Sequence, residues 1–125
     1  MTSPFIDDSC DFELTVFFTE KNGETIILPK KEDKCESITV KFRSPDFATS
    51  QQVLQACTRM TDQGIPSINY LQLQTSLLYA LAKSWDAKDS DGKEMLIDNI
   101  GSLKVNIAKS LVEQLAVKVS STGLF

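Results

Sequence analysis

The side chains best placed for chemistry in this sequence are its carboxylates, densest in the run Asp86-Ala87-Lys88-Asp89-Ser90-Asp91-Gly92-Lys93. Asp89, Asp91 and Gly92 match positions 3, 5 and 6 of a calcium loop, where carboxylates ligate and glycine permits the sharp turn, and Asp98 falls at position 12. Position 1 is then Ala87, whose side chain offers no oxygen, and an aspartate at position 12 is too short for the usual bidentate reach of glutamate. The run reads as a solvated turn between helices.

Other chemistries have less to work with. Histidine, the commonest general acid–base group, is absent, and no Ser or Cys sits in a nucleophile motif. The five glycines are scattered and form no phosphate-binding loop. Cys10, Cys35 and Cys57 are an odd count without a C-x-x-C pair, so neither a disulfide framework nor a zinc site is expected, and reduced thiols in a cytoplasm are the simplest reading. Cys57 reads as a small core hydrophobe. The expectation is therefore no enzyme, no cofactor and no metal.

A net charge of -4 argues against a nucleic-acid footprint, and Lys30-Lys31 is followed at once by Glu32-Asp33. No stretch approaches the apolar length of a membrane span, and Met1-Thr2-Ser3-Pro4 has no signal-peptide character. What remains is recognition of other proteins through aromatic side chains. Phe17 and Phe18 are adjacent, so one of them points away from the face that packs on the domain, and an exposed aromatic on a hairpin suits a partner or edge pairing with another chain. Phe5, Phe17, Phe18 and Phe125 are the expected partner contacts. Trp85, at the end of an apolar stripe, reads as core rather than as an interface anchor.

These residues need elements to position them. Residues 1–11 are polar and turn-rich, an arm ordered only if something pins Phe5 and Ile6. In Phe12 to Glu20, Phe12, Leu14, Val16 and Phe18 share one face; Asn22-Gly23 then predicts a type I′ turn into a strand over Thr25 to Leu28. Ile38, Val40 and Phe42 mark a third strand. Ser44-Pro45-Asp46 predicts a helix start with Ser44 as cap and Pro45 in the first turn; Phe47, Val53, Leu54, Cys57 and Met60 follow, with a stop near Gly64. Ser67 caps a second helix whose stripe runs Ile68, Leu71, Leu78, Leu81, Ala82, Trp85, widened by Leu73 and Leu77. A short helical segment spans Met95 to Ile100, Gly101 breaks it, and Ser102 caps a last helix along Ala108, Leu111, Leu115 and Val119. The fold expected is α+β: after the arm, one domain over 12–125, with a small antiparallel sheet of two or three strands over 12–43 beside a three-helix bundle over 44–120.

From Ser37 onward, the strand Ile38-Thr39-Val40-Lys41-Phe42, the Ser44-Pro45-Asp46 helix start, the helix ending Leu77-Leu78-Tyr79-Ala80-Leu81-Ala82-Lys83-Ser84-Trp85, the polar turn and the final helix resemble the tail assembly chaperones of tailed bacteriophages and the related T4-type baseplate hub subunits. The resemblance covers about three quarters of the chain and rests on element order rather than on any chemical motif. It implies a non-enzymatic tail or baseplate protein, made in the host cytoplasm or kept in the virion, whose partners are other tail or baseplate proteins or further copies of itself. A substantial N-terminal hairpin and arm suit a structural subunit better than a transient chaperone holding the tape measure protein. The alternatives are that chaperone, a non-phage adaptor or regulatory module, and a calcium-responsive module using Asp89 and Asp91.

Overall fold

Asn22 and Gly23 adopt φ angles of 55° and 80°, the left-handed pair that a two-residue type I′ turn requires. Around this turn the computed structural model, which describes residues 3–121, pairs β1 (Phe12–Lys21) with β2 (Glu24–Leu28), from Lys21↔Glu24 to Phe17↔Leu28. Along its other side β1 pairs with β3 (Glu36–Phe42), from Phe12↔Phe42 to Phe18↔Glu36. Phe12, Leu14 and Val16 thus stand opposite Phe42, Val40 and Ile38, and this face of the sheet is apolar until Glu20 and Glu36 at its far end. Phe12 stacks on Phe42 with ring centroids 5.6 Å apart. The other face carries Glu13, Thr15, Thr39 and Lys41, with the Thr15 and Thr39 hydroxyls 2.9 Å apart.

The first helix, α1 (Phe47–Cys57), is capped by Asp46, whose carboxylate accepts from the Thr49 N–H at 2.7 Å. That backbone bond, with the Thr49 hydroxyl behind it, lowers the Asp46 pKa. Ser44, the expected cap, lies two residues too early. Pro45 disfavours helical geometry in the residue before it, and the Ser44 hydroxyl instead donates to the Cys10 carbonyl at 2.6 Å.

α1 stops at Cys57, well before Gly64. The Thr58 hydroxyl takes the Leu54 carbonyl at 2.6 Å, and β4 (Thr58–Met60) runs straight into a hairpin with β5 (Pro66–Ile68). Thr61 and Ile65 close its loop, with Gly64 at a φ of 75°, the type I turn plus glycine bulge of a three-residue connection. Asn69, not Ser67, caps α2 (Tyr70–Leu81).

α2 also ends earlier than its apolar stripe suggests. The Arg43 guanidinium bonds the Ala80 carbonyl through Nε at 3.1 Å and Nη2 at 3.0 Å, and the Arg43 N–H takes the Leu81 carbonyl. These donors satisfy carbonyls that a helix end leaves orphaned. Ala82–Trp85 then becomes β6, antiparallel to β3 with Trp85 opposite Val40. The main sheet therefore has four strands in the order β2-β1-β3-β6, one more than the sequence suggested, because the last turn of the expected helix is a strand. A 3-10 turn (Ile97–Ser102) runs through Gly101 and leads to α3 (Val105–Ser120), which starts without the side-chain cap expected of Ser102. A Cβ at Gly101 would stand 2.8 Å from the Tyr79 hydroxyl, so the glycine lets α2 and this turn approach closely.

The core lies between the apolar sheet face and the helices. Leu73, Leu77 and Leu81 of α2 and Ile107, Leu111, Leu115 and Val119 of α3 are buried with Val16, Ile38, Val40 and Phe42, and α1 adds Val53 and Cys57. Each fully buried aliphatic or aromatic side chain is worth about 1.5–3 kcal/mol relative to exposure. α2 packs against both α1 and α3. The chain is α+β, with a four-stranded and a two-stranded antiparallel sheet and three α-helices among the described residues.

Replacing Gly23 by Ala forces a side chain into the left-handed region and costs about 1–2 kcal/mol. The expected result is a thermal midpoint lowered by several degrees with an unchanged far-ultraviolet circular dichroism spectrum at 20 °C.

Candidate functional site

β2 is an outer strand, and its edge is partly occupied. Lys21↔Glu24 closes the turn as a hydrogen-bonded pair, and alternation then leaves Thr25 and Ile27 with backbone groups facing outward. The Thr25 carbonyl is taken by the Asn106 amide at 2.9 Å. One strand inward, the Thr15 carbonyl points to the side where β2 has already ended, and the Gln114 amide takes it at 3.2 Å. Asn106, Ser110 and Gln114 recur at steps of four, so one stripe of α3 lies along this edge. The sequence suggested edge pairing with another chain here. α3 takes one of the outward carbonyls there, that of Thr25.

This placement also decides the aromatic pair. Phe18 stands opposite Ile27 on the core face and packs against the core. Phe17 stands opposite Leu28 on the other face, half-buried in a shallow pocket edged by Pro29, Ser110 and Gln114. Of the expected contacts, only Phe5 is broadly exposed, at 78%; Phe125 lies outside the described residues. Phe17 and Phe18 stand on opposite faces of the sheet and so do not share one surface.

The arm is tied down by polar contacts rather than by Phe5 and Ile6, which are both exposed. Ser44 bonds Cys10, and the Lys83 ammonium meets Asp11 at 2.7 Å and Asp8 at 3.4 Å. The Asp11 side chain is only 6% exposed. The hydrogen bond to Asp11 raises the Lys83 pKa, against partial desolvation, with the charges of Asp11 and Asp8 adding to it. Asp7 is lowered chiefly by its hydrogen bonds from Ser9.

A further group of exposed apolar side chains lies at the β4–β5 hairpin and the start of α2. In the β4–β5 hairpin, Thr58 pairs with Ile68 and Met60 with Pro66, all on one face, while Arg59 and Ser67 share the other. The inner end of the apolar face is anchored, since Ile68 packs on the core. Its outer end is not, with Met60 65% exposed; Ile65, paired with Thr61 on the Arg59 face, is 57% exposed, and Tyr70 and Leu71 of the first turn of α2 follow at 62% and 74%. Sequence reasoning missed this surface because Cys57 and Met60 also fit a helical step. The available signal was Thr-Arg-Met and Pro-Ser-Ile flanking a Gly64 turn.

A cleft of about 760 Å³ opens at the other end of the sheet. Phe18, Ile38, Trp85, Met95 and Ile107 line its floor; Glu20, Glu36, Asp86, Lys88, Asp89 and Lys104 are among its polar residues. Trp85 packs on the core as expected, but is half-buried, and its indole N–H donates to the Met95 carbonyl at 2.6 Å. The polar turn beside it is a tight loop. One Asp89 oxygen accepts from the Asp91 and Lys93 N–H groups, and Gly92 takes a φ of 79°. Among the described residues, no three His, Cys, Asp or Glu side chains converge to hold a metal ion, and no helix is long and apolar enough to cross a membrane.

No protein-family model, curated protein or solved structure matches this chain.

Lys83 gains a partner on folding, so its folded pKa lies above the ordinary 10.5. Its contribution is complete below that pH and disappears as pH rises through the folded value. A Lys83→Met variant should therefore lose less stability than the native chain between about pH 10 and pH 12, as read from thermal midpoints. Equal losses would remove the arm contact from the account.

Proposed function

We propose that this chain is a non-enzymatic protein of bacteriophage tail or baseplate assembly that acts through protein–protein contacts, as a structural subunit of the tail or baseplate. The observation that carries the binding part is the β4–β5 hairpin, whose apolar face continues past the core to an exposed Met60, with Ile65 of its turn and Tyr70 and Leu71 of the following helix start exposed as well. A group of exposed apolar side chains in one part of the chain supports an interaction role. The tail setting comes from the resemblance in element order. The reading as a permanent subunit is supported by the arm, whose base is tied through Cys10 and Asp11 without any partner. The three helices are read as a bundle with α2 central, supported by its contacts to α1 and α3. The partners are other tail or baseplate proteins or further copies of this chain, met in the host cytoplasm during assembly and retained in the virion.

Mass spectrometry of purified particles tests this directly. Stoichiometric amounts are expected. Absence from particles, with co-purification alongside a tail protein from infected cells, would replace the subunit with a transient chaperone. Absence from both would leave an adaptor unrelated to phage.

The hairpin has its own test. Substituting Met60 and Leu71 together by Ser alters exposed positions, where changes usually stay within about 0.5 kcal/mol. The double variant should melt within a degree or two of the native chain yet fail to enter particles. Normal incorporation would sink the assignment of this surface.

A further inference from the structure

The cleft beneath Trp85 has a chemistry of its own, and its consequence rests on the protein-binding reading above. Its floor is apolar and aromatic. The one polar atom of the indole is already committed to the Met95 carbonyl, so Trp85 presents only ring surface to an occupant. Ring faces attract aliphatic groups and cations.

The charged residues add a sign. Glu20, Glu36, Asp86 and Asp89 outnumber Lys88 and Lys104, and Lys104 is already paired with Glu20. Asp86 uses one oxygen to accept from the Thr39 N–H at 2.8 Å, and Asp89 uses one for its own turn. Each therefore keeps a second carboxylate oxygen. Among the described residues no cation pairs with Glu36. An apolar floor under an acidic mouth matches a lysine or arginine side chain, whose methylene stem lies on apolar surface while its charged head stays among carboxylates.

We propose that this cleft binds an extended segment of a partner polypeptide in which aliphatic residues are flanked by lysine or arginine. A volume of about 760 Å³ falls within the range of ligand sites, about 300–1,000 Å³. The cleft is open to solvent, which suits a chain passing through it. An anionic occupant such as a nucleic acid would meet the wrong charge.

Trp85 is the only tryptophan in the sequence and lines the site, so its fluorescence reports occupancy. The probes are acetyl-Lys-Leu-Leu-Lys-amide and its acidic counterpart, acetyl-Glu-Leu-Leu-Glu-amide, titrated into the full chain. The basic peptide should give a saturable change in emission and the acidic one none. Glu36→Lys, at an exposed strand start, should weaken the basic peptide about tenfold. Raising salt from about 50 mM to about 500 mM should weaken it in the native chain, which keeps the test sharp if that variant folds poorly. A linear response, equal response to both peptides, or indifference to both Glu36→Lys and salt would overturn the proposal. The Met60 and Leu71 double variant should bind the peptide as the native chain does. Loss of particle incorporation with intact peptide binding, or the reverse, would separate failure of the hairpin from failure of the cleft.

Discussion

The contact on which the rest of this molecule depends is the pairing of β1 with β3 through their even-numbered side chains. Val16, Val40 and Phe42 are essentially closed to solvent, and Phe12 stacks on Phe42. A sheet face of this kind must be covered, and the repeats of four along α2 and α3 supply the cover. The register also constrains the chain beyond β3. The second edge of that strand needs a partner, and the chain supplies one by ending α2 at Leu81 and laying Ala82–Trp85 alongside. Arg43, just past the end of β3, stabilises that ending by bonding the helix carbonyls. One strand thus specifies the core and terminates the helix that covers it.

Where a single periodicity acted alone, the sequence was legible. The Asn22-Gly23 hairpin, the third strand and the buried stripe of the last helix come directly from turn chemistry and from steps of two or four. It misled where two periods coincided. Leu78, Leu81, Ala82 and Trp85 fit a helix, yet Trp85 also fits a strand opposite Val40, and only β3's unpaired edge decides between them. Cys57 and Met60 present the same ambiguity, resolved by Thr58 and the Gly64 turn. Caps failed for a related reason: Ser44 and Ser102 are good cap residues, but one serves the arm and the other closes a 3-10 turn.

The exposed apolar residues and the cleft were harder to see because exposure is a property of neighbours. Phe17 and Phe18 are conspicuous in sequence, but Phe18 joins the core and α3 shelters Phe17. Met60, Ile65 and Leu71 are unremarkable in sequence and stand out only because the chain turns out into the hairpin and leaves them exposed. The cleft is assembled from β1, β3, β6 and α3, so no local pattern announces it. Its carboxylates come from separate stretches of chain, and the run that resembled a calcium loop contributes Asp86 and Asp89 as two members of that larger set.

The amide stripe of α3 along β2 has a consequence for strand addition at that edge. A bare outer strand is a template: each added chain exposes another, and growth has no natural stop. On β2 the Asn106 amide occupies the outward Thr25 carbonyl, and on β1 the Gln114 amide occupies the Thr15 carbonyl beyond the end of β2, so that edge is a partly blocked template. A second chain pairing along β2 would have to displace the Asn106 amide from Thr25, so strand addition there starts at a cost that a bare edge does not impose.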